Sequence, residues 1–407
     1  MKKMINLKNY LIYESDFLSD FFFLTQKNMK IIILFNFLIF TILFSSISAQ
    51  TDKDSLMNEI GNSIENTFHN NDVESFMKMF DTETFYSNII TVDSSNFKLR
   101  MFNKDFKQGI NSKFADLLML NIGEDEYYNF INFAYDDDEN YYLRFRLYSD
   151  EGINYHEYFL AGSDSNIYKI SDFYNYTTGE FISETLKRLY DFASSSIINR
   201  EFTENDSLNL KAISTFIIAE EMKKKGYIED AINLIQDIPD CEFKESKIYY
   251  IFKLLMIDIQ DEEAYKQILE ECMYKFPSNP TLYLFGIDYY LMNESYDKAL
   301  EMVDNLEYIT NDEFLDLYRC NIYFEAESYD KAEKFGENLL ENFPYFFEAY
   351  ENLLSIYAYN DKYEESTELL DKFLNNFDAT KSEIVEMVKQ FYPRFYRSKE
   401  FKHWKRK

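Results

Sequence analysis

The amino-acid sequence predicts an α+β N-terminal domain, with a curved antiparallel sheet and helices, followed by an all-α helical solenoid. Three observations lead to this prediction. The chain has 407 residues, which suits two domains of about 150–200 residues each. Segments in which apolar and polar residues alternate lie before residue 180, whereas a repeated pattern with a helical period occupies the second half. All five prolines fall after residue 238, so the composition also changes along the chain.

The N-terminal segment has the pattern of an export signal. Residues 31–44 form an uncharged apolar run, which Lys27 and Lys30 precede and the small residues 45–49 follow. This order of basic, apolar and small residues is typical of a signal peptide, and the run is short for a membrane span. We expect residues 1–49 to be the signal, with cleavage after Ala49 and an uncleaved anchor as the alternative. Because Met29 lies just before the run, residues 1–28 are interpreted as a misassigned upstream start.

Composition excludes several classes of function. Lys and Arg number 42 and Asp and Glu 72, so the net charge of −30 opposes binding to a nucleic-acid backbone. The nine glycines are too far apart for the common nucleotide-binding or serine-hydrolase motifs. The three histidines and three cysteines give no HExxH or CxxC pattern. The sequence therefore predicts no cofactor and no metal site.

Residues 51–190 are expected to form the α+β domain. The apolar spacing in 54–80 and 105–120 predicts helices, and the β-branched run 85–92 predicts a strand between them. Four further strands are predicted at 126–135, 140–148, 153–160 and 166–176, separated by short acidic or glycine-containing turns. A helix then leads into a linker at 191–207.

This order of elements resembles NTF2-like α+β domains, in which a curved sheet wraps a helix. The resemblance implies either a binding domain or an enzyme with a proton-transfer pair in its cavity. The candidates for such a pair are His156 and Asp172, which would act together as a general base if both point to one concave face. The alternative is that His156 is a hydrogen-bonded histidine at the rim of the sheet, because a register slip of one residue reverses every side chain. We therefore predict no catalysis.

The second half of the chain repeats a helix–turn–helix pattern. The segment 293–303 recurs at 326–336 and again at 360–370, and it aligns Tyr296, Tyr329 and Tyr363 at intervals of 33 and 34 residues. A small residue follows each of these tyrosines by three positions, and another tyrosine precedes each of them by six positions. The following residues belong to these two sets: Ala299, Ala332 and Ser366, and Tyr290, Tyr323 and Tyr357.

A helix–turn–helix pattern that recurs about every 34 residues resembles the tetratricopeptide repeat. The resemblance implies about five repeats over 208–379, then a capping helix and a basic tail over 380–407. Arg319 and Gly336 depart from the family pattern, because both stand where apolar residues are usual. In this register Cys272 and Cys320 take positions for small side chains, so we interpret them as packing thiols rather than as a disulfide.

The resemblance also implies a concave groove lined by the first helix of each repeat. We expect this groove to be apolar and aromatic, and thus suited to a protein or peptide partner with hydrophobic anchors. Its predicted lining residues are Tyr250, Leu254, Leu284, Asp288, Leu291, Phe314, Leu317, Asn321, Phe324 and Tyr359. The alternative is that the N-terminal domain or the capping segment of the same chain fills the groove.

Two functions follow from this reading. The favoured hypothesis is an exported, non-enzymatic interaction protein, periplasmic or extracellular, that binds a protein or peptide in its groove. It would bind no nucleic acid and would contact a membrane only through an uncleaved signal segment. The alternative is an NTF2-like domain that binds a small ligand or transfers a proton, with the repeats as a docking arm.

Overall fold

The computed structural model describes most of the chain after the predicted signal. The described residues are 53–90, 96–120, 127–136, 140–149, 152–162, 167–198, 204–256, 262–277 and 279–407. The predicted signal segment 1–49 lies outside them. Within the described ranges, no helix combines the length and the apolar character that crossing a bilayer requires. By its internal contacts the chain divides into two compact units, residues 1–60 and residues 61–407, and the second contains the sheet and the helix pairs.

Four antiparallel strands and a short fifth form one sheet in simple sequential order. The strands are β1 (Tyr127–Tyr135), β2 (Tyr141–Ser149), β3 (Gly152–Gly162), β4 (Tyr168–Asn175) and β5 (Glu180–Phe181). The four predicted strands thus match β1 to β4 closely. Each pair is joined by a short connection, which is the usual arrangement when successive strands are antiparallel neighbours.

Helices surround one face of this sheet. The helical residues 61–69 come first, and the helices Val73–Lys78, Thr82–Ile89, Phe97–Leu120 and Ile182–Ile198 accompany them. Their buried rings form the core of this layer. Phe68 and Phe76 approach each other edge to face, with ring centroids 5.0 Å apart, and Phe76 similarly meets Tyr158 of β3 at 6.0 Å.

The strand predicted at 85–92 is wrong, because residues Thr82–Ile89 form a helix. The carboxylate of Asp81 accepts a hydrogen bond from the Thr84 amide at 3.1 Å, which caps the first turn. Phe85 and Ile89 then lie on one buried face, one helical turn apart. The order of helix, strand and helix behind the NTF2-like resemblance is therefore not present.

Five helix pairs follow in the described part of the chain. Their members are Glu204–Lys224 with Ile228–Gln236, Lys247–Met256 with Glu262–Lys275, Pro280–Met292 with Tyr296–Thr310, Asp316–Glu325 with Tyr329–Asn342, and Phe347–Tyr359 with Tyr363–Asn376. We call the first member of each pair helix A and the second helix B. The capping helix Lys381–Phe391 comes next, and two short helices, Pro393–Arg397 and Lys399–Arg406, end the chain.

The turn between helix A and helix B repeats the same backbone conformation. Glu294, Glu327 and Asp361 have φ values of 53°, 54° and 57°, which is the left-handed conformation that often ends a helix. The next amide in each turn donates to the carbonyl of a tyrosine five residues earlier, always at 2.8 Å. These acceptors are Tyr290, Tyr323 and Tyr357, the tyrosines whose spacing the sequence had shown.

Small residues on helix B allow close approach of the helices. Ala299, Ala332 and Ser366 are completely buried. Gly336 serves the same purpose, since an added Cβ would lie 2.9 Å from Leu353 and 3.3 Å from the Cys320 sulfur. All three cysteines are free, and burial raises the pKa of the Cys272 and Cys320 thiols to about 12.

Arg319, the other departure from the repeat pattern, is buried in a network of carboxylates. Its guanidinium donates to Asp304 at 2.7 Å, to Glu307 at 2.6 Å and to Asp316 at 3.1 Å. These partners compensate the charge at a position where apolar residues are usual. The described repeats and the capping helix therefore form a tetratricopeptide-type solenoid, and its third to fifth pairs share a hydrophobic core with residues of the sheet.

Candidate interaction surface

The outer face of the sheet packs directly on the solenoid. β2 carries Arg144 and Arg146 on this face, and the other face of the sheet meets the helices of the N-terminal layer. The Arg146 guanidinium lies 2.6 Å from the Asp312 carboxylate, which caps the helical turn before the fourth helix A. The other oxygen of Asp312 accepts a hydrogen bond from the Tyr155 hydroxyl at 2.8 Å. All three side chains are buried, so this contact is an internal junction.

A second polar cluster lies beside the first. Arg144 donates to Glu157 of β3 at 2.7 Å and to the carbonyl of Thr310 on the third helix B at 3.0 Å. The Tyr176 hydroxyl donates to the same Glu157 oxygen at 2.8 Å, and Asn132 donates to the Thr310 carbonyl at 2.8 Å. Each buried charge thus has a partner of opposite charge or a carbonyl, which is what burial in a low-dielectric junction requires.

Aromatic rings fill the space around these charges. The Arg146 guanidinium lies over the ring of Phe314, 3.8 Å from its centroid, in a close cation–π contact. Tyr148 packs against Phe314 and Phe346 with centroid distances of 5.3 and 5.2 Å, and its hydroxyl donates to the Glu348 carboxylate. The junction therefore extends from the third helix pair to the start of the fifth.

The predicted groove residues fall into three groups by exposure. Tyr250, Leu254, Phe314 and Leu317 are buried; Leu284, Leu291, Asn321 and Phe324 are partly buried; and Asp288 and Tyr359 are exposed. Of the buried group, Phe314 and Leu317 belong to the core that includes sheet residues, whereas Tyr250 and Leu254 pack among the early repeats. The predicted open groove is therefore wrong at these four positions. Around Phe314 the structure instead matches the alternative, in which the N-terminal domain fills the groove.

The two catalytic candidates lie on opposite faces of the sheet. His156 is in register with Asn175, whereas Asp172 pairs with Phe159, whose side chain points to the other face. His156 is buried, with its ring nitrogens 3.2 Å from the Tyr128 hydroxyl and from the Asn154 amide. Asp172 instead accepts hydrogen bonds from the side chain and backbone of Ser183. The prediction that His156 and Asp172 form a general base is therefore wrong.

Burial shifts the pKa values of the two groups in opposite directions, because it disfavours the charged form of each. It lowers the pKa of His156 to about 4, because the charged imidazolium has no anionic partner there. It raises the pKa of Asp172 to about 6. The histidine is thus neutral at physiological pH and serves as a hydrogen-bonded core residue.

An open cleft remains at the C-terminal end of the solenoid. The fifth helix A and the capping helix form its walls, and the fifth helix B forms its floor. Its volume is about 610 Å³. The lining residues are Phe347, Tyr350, Glu351, Asn352, Leu354, Ser355, Leu369, Leu370, Phe373, Asp378, Ala379, Glu383, Ile384, Met387, Phe391 and Tyr392.

A hydrogen bond bridges the two walls of this cleft. The Ser355 and Tyr392 hydroxyls lie 2.8 Å apart, which links the fifth helix A to the C-cap of the capping helix. Phe347 and Phe391 stand at the rim, with 44 % and 64 % of their surfaces exposed. Exposed apolar rings beside an apolar cavity are typical of a surface that binds another molecule.

Sequence reasoning missed both Asp312 and this cleft. For the first, a signal existed in Arg144 and Arg146, since two charges at alternate positions of an aromatic strand require buried partners. For the second, Met387 and Phe391 stand one helical turn apart on the capping helix, although this spacing alone does not distinguish a buried face from an open one.

Comparison with known proteins gives likenesses of fold. No family model matches the chain, and no curated protein matches it. Among solved structures, a tetratricopeptide repeat protein from Parabacteroides merdae is 12 % identical, with a TM-score of 0.39 over 52 % of this chain and 82 % of its own. YrrB, described as a TPR protein with an unusual peptide-binding site, is 16 % identical, with a TM-score of 0.36 over 49 % of this chain and 98 % of its own.

A third likeness is to MamA from Desulfovibrio magneticus RS-1, at 13 % identity and a TM-score of 0.36, over 41 % of this chain and 94 % of its own. Because these TM-scores are below 0.5, we assign the helix pairs to the tetratricopeptide class from their own period, turns and packing.

Proposed function

We propose that this chain is a non-enzymatic interaction protein that binds another protein through the C-terminal cleft. One observation carries this proposal: the middle of the solenoid is buried against the sheet, whereas the cleft keeps apolar walls and two exposed phenylalanines at its rim. The sheet and the repeats then act together as a scaffold that presents the cleft. Tetratricopeptide solenoids commonly present binding surfaces of this kind.

We also propose that the protein works outside the cytoplasm. The support is the basic, apolar and small-residue order of 27–49. N-terminal sequencing of the protein from its own cell tests this proposal. A mature chain that begins at Gln50 is the expected result, and a chain that retains residues 31–49 would contradict cleavage.

The interaction role can be tested by site-specific photocrosslinking in the native cell. A photoreactive phenylalanine analogue replaces Phe391 at the rim of the cleft in one strain and Tyr308 in a control strain. Tyr308 is 91 % exposed on the third helix B and does not line the cleft. We expect a discrete protein adduct from position 391 and none from position 308.

Two results would contradict the proposed function. One is an absence of adducts at position 391 in a chain that accumulates and folds normally. The other is an identical set of adducts from both positions, because random encounters mark every exposed aromatic residue alike.

A further inference from the structure

The cleft has a chemical character that specifies its occupant. Its floor and walls are apolar, through Leu354, Leu369, Ile384 and Met387 among others. Three carboxylates join them, those of Glu351, Asp378 and Glu383, and all three residues are exposed. The described residues that line the cleft include no lysine, arginine or histidine. An apolar slot with charges of one sign at its edge selects a partner of the opposite sign.

Two carboxylates of the cleft have uncharged or acidic neighbours in the described part of the chain. Glu383 accepts hydrogen bonds from the Thr380 amide and hydroxyl, both at 2.7 Å, as part of a capping box. Desolvation and then the neighbouring carboxylate of Glu348 raise the pKa of Glu351. An acid that is next to another acid favours an incoming cation, which would relieve this repulsion.

The basic tail of the chain does not occupy the cleft. Its residues belong to the last two helices, of which the final one packs on the fifth helix B and the one before it on the capping helix. Phe395, Phe401 and Trp404 are buried there, and the Trp404 indole donates to Asp371 at 2.6 Å. The tail is thus held in place by its own apolar side chains, and the cleft remains open to a separate molecule.

The dimensions of the cleft set the length of the occupant. Its wall runs from Phe347 to Ser355 on helix A, a rise of eight residue steps, or about 12 Å at 1.5 Å per step. This length equals about two turns of a helix. Apolar side chains that are three or four residues apart on a bound helix would therefore both reach the floor.

We propose that the cleft binds a short cationic amphipathic helix of another protein, with its apolar side chains on the floor and its lysines or arginines toward Glu351 and Asp378. This inference rests on the proposed function, because it names the chemistry of the partner at the same surface. It also accounts for part of the acidic character of the chain, whose net charge of −30 attracts basic segments at long range.

The test measures the binding of defined peptides to the full chain by fluorescence anisotropy at moderate salt. The probe is a labelled 18-residue Leu/Lys helix, and a Leu/Glu helix with the same apolar pattern is compared with it. The cleft variant carries E351K and D378K. The matched control carries E341K and E368K, which change the same net charge at exposed carboxylates outside the cleft.

We expect the Leu/Lys helix to bind the parent and the control with similar affinity and the cleft variant at least ~10-fold more weakly. A second variant, M387S with F391S, removes apolar contacts without a change in charge and should weaken binding to a similar degree. Circular dichroism verifies that each variant is folded. The salt dependence of binding should be steeper for the parent than for the cleft variant.

Several results would overturn this inference. Equal loss of binding in the cleft variant and the control would show attraction to overall charge only, and no binding to the parent would show that a cationic helix is not the ligand. Cleft-dependent binding of the Leu/Glu helix would overturn the cationic partner while the interaction role stands. A concentration-dependent dimer of the parent, absent in the M387S/F391S variant, would assign the cleft to a second copy. Photocrosslinking at position 391 tests the proposed function separately.

Discussion

The middle of the solenoid and its C-terminal end carry similar apolar and aromatic side chains, but different neighbours meet them. In the middle, Phe314 lies under the Arg146 guanidinium, and Asp312 completes a buried ion pair with the sheet. At the end, Phe391 stands at the rim of a cleft whose carboxylates face solvent. The difference shows that aromatic content alone does not define a binding surface. What matters is whether the same chain supplies the complementary charge.

The largest expected effect is on the buried junction. D312A removes the partner of Arg146 and the acceptor of the Tyr155 hydroxyl, and it leaves a guanidinium buried without its counter-charge. We expect a loss of about 3–5 kcal/mol in the free energy of unfolding, measured by urea denaturation. E313A, at the exposed neighbouring residue, should change it by no more than about 0.5 kcal/mol. Equal effects of the two substitutions would contradict a buried ion pair between Asp312 and Arg146.

A pair of phenylalanine substitutions compares the two regions directly. F314A empties a fully enclosed site and should cost about 3–5 kcal/mol of unfolding free energy. F391A removes a ring that is mostly exposed, so we expect a change of about 0.5 kcal/mol or less. The same denaturation measurements check both values. A large loss for F391A would mean that the cleft is closed by a part of the chain, and it would remove the basis of the proposed site.

A smaller effect concerns acid sensitivity, which we expect in the sheet rather than in the cleft. His156 has a folded-state pKa of about 4, below its ordinary value of 6.5, so its neutral form stabilises the fold. This contribution is present above pH 6.5 and is lost as the pH falls toward 4, with a total on the order of 3 kcal/mol.

The H156Q variant keeps hydrogen-bonding groups but does not titrate, so its stability should fall less than that of the parent between pH 6.5 and 4. Asp172, whose raised pKa of about 6 works in the opposite direction, is present in both chains and cancels in the comparison. Parallel pH profiles of the two chains would show that His156 is solvated and not part of the core.

Local patterns in the sequence predicted the elements of the fold well. The turn at Glu294, Glu327 and Asp361 recurs because each helix pair needs the same left-handed residue to reverse direction. The four long strands were recognisable because alternation and short turns are properties of neighbouring residues. The error in the strand predicted at 85–92 arose because β-branched residues favour strands by propensity, whereas the Asp81 cap and the burial of Phe85 favour a helix here.

The candidate site was less predictable, because it depends on contacts between distant residues. Arg146 and Asp312 are separated by 166 positions in sequence, and no local pattern links them. Strand register also decides which face carries His156 or Asp172, and a single sequence does not fix it. Six predicted groove residues keep some exposure for contact with a partner, namely Leu284, Asp288, Leu291, Asn321, Phe324 and Tyr359. For these residues the groove remains a prediction.

The central claim is that the sheet covers the middle of the solenoid while the cleft stays open. Hydroxyl-radical footprinting of the intact chain tests both halves in one measurement, because oxidation of aromatic side chains follows their exposure to solvent. Tyr155 and Phe314 should be protected, and Phe347 and Phe391 should be oxidised readily. Oxidation of Tyr155 and Phe314 at the rate of Phe391 would show that the sheet does not cover the solenoid, and would contradict this account.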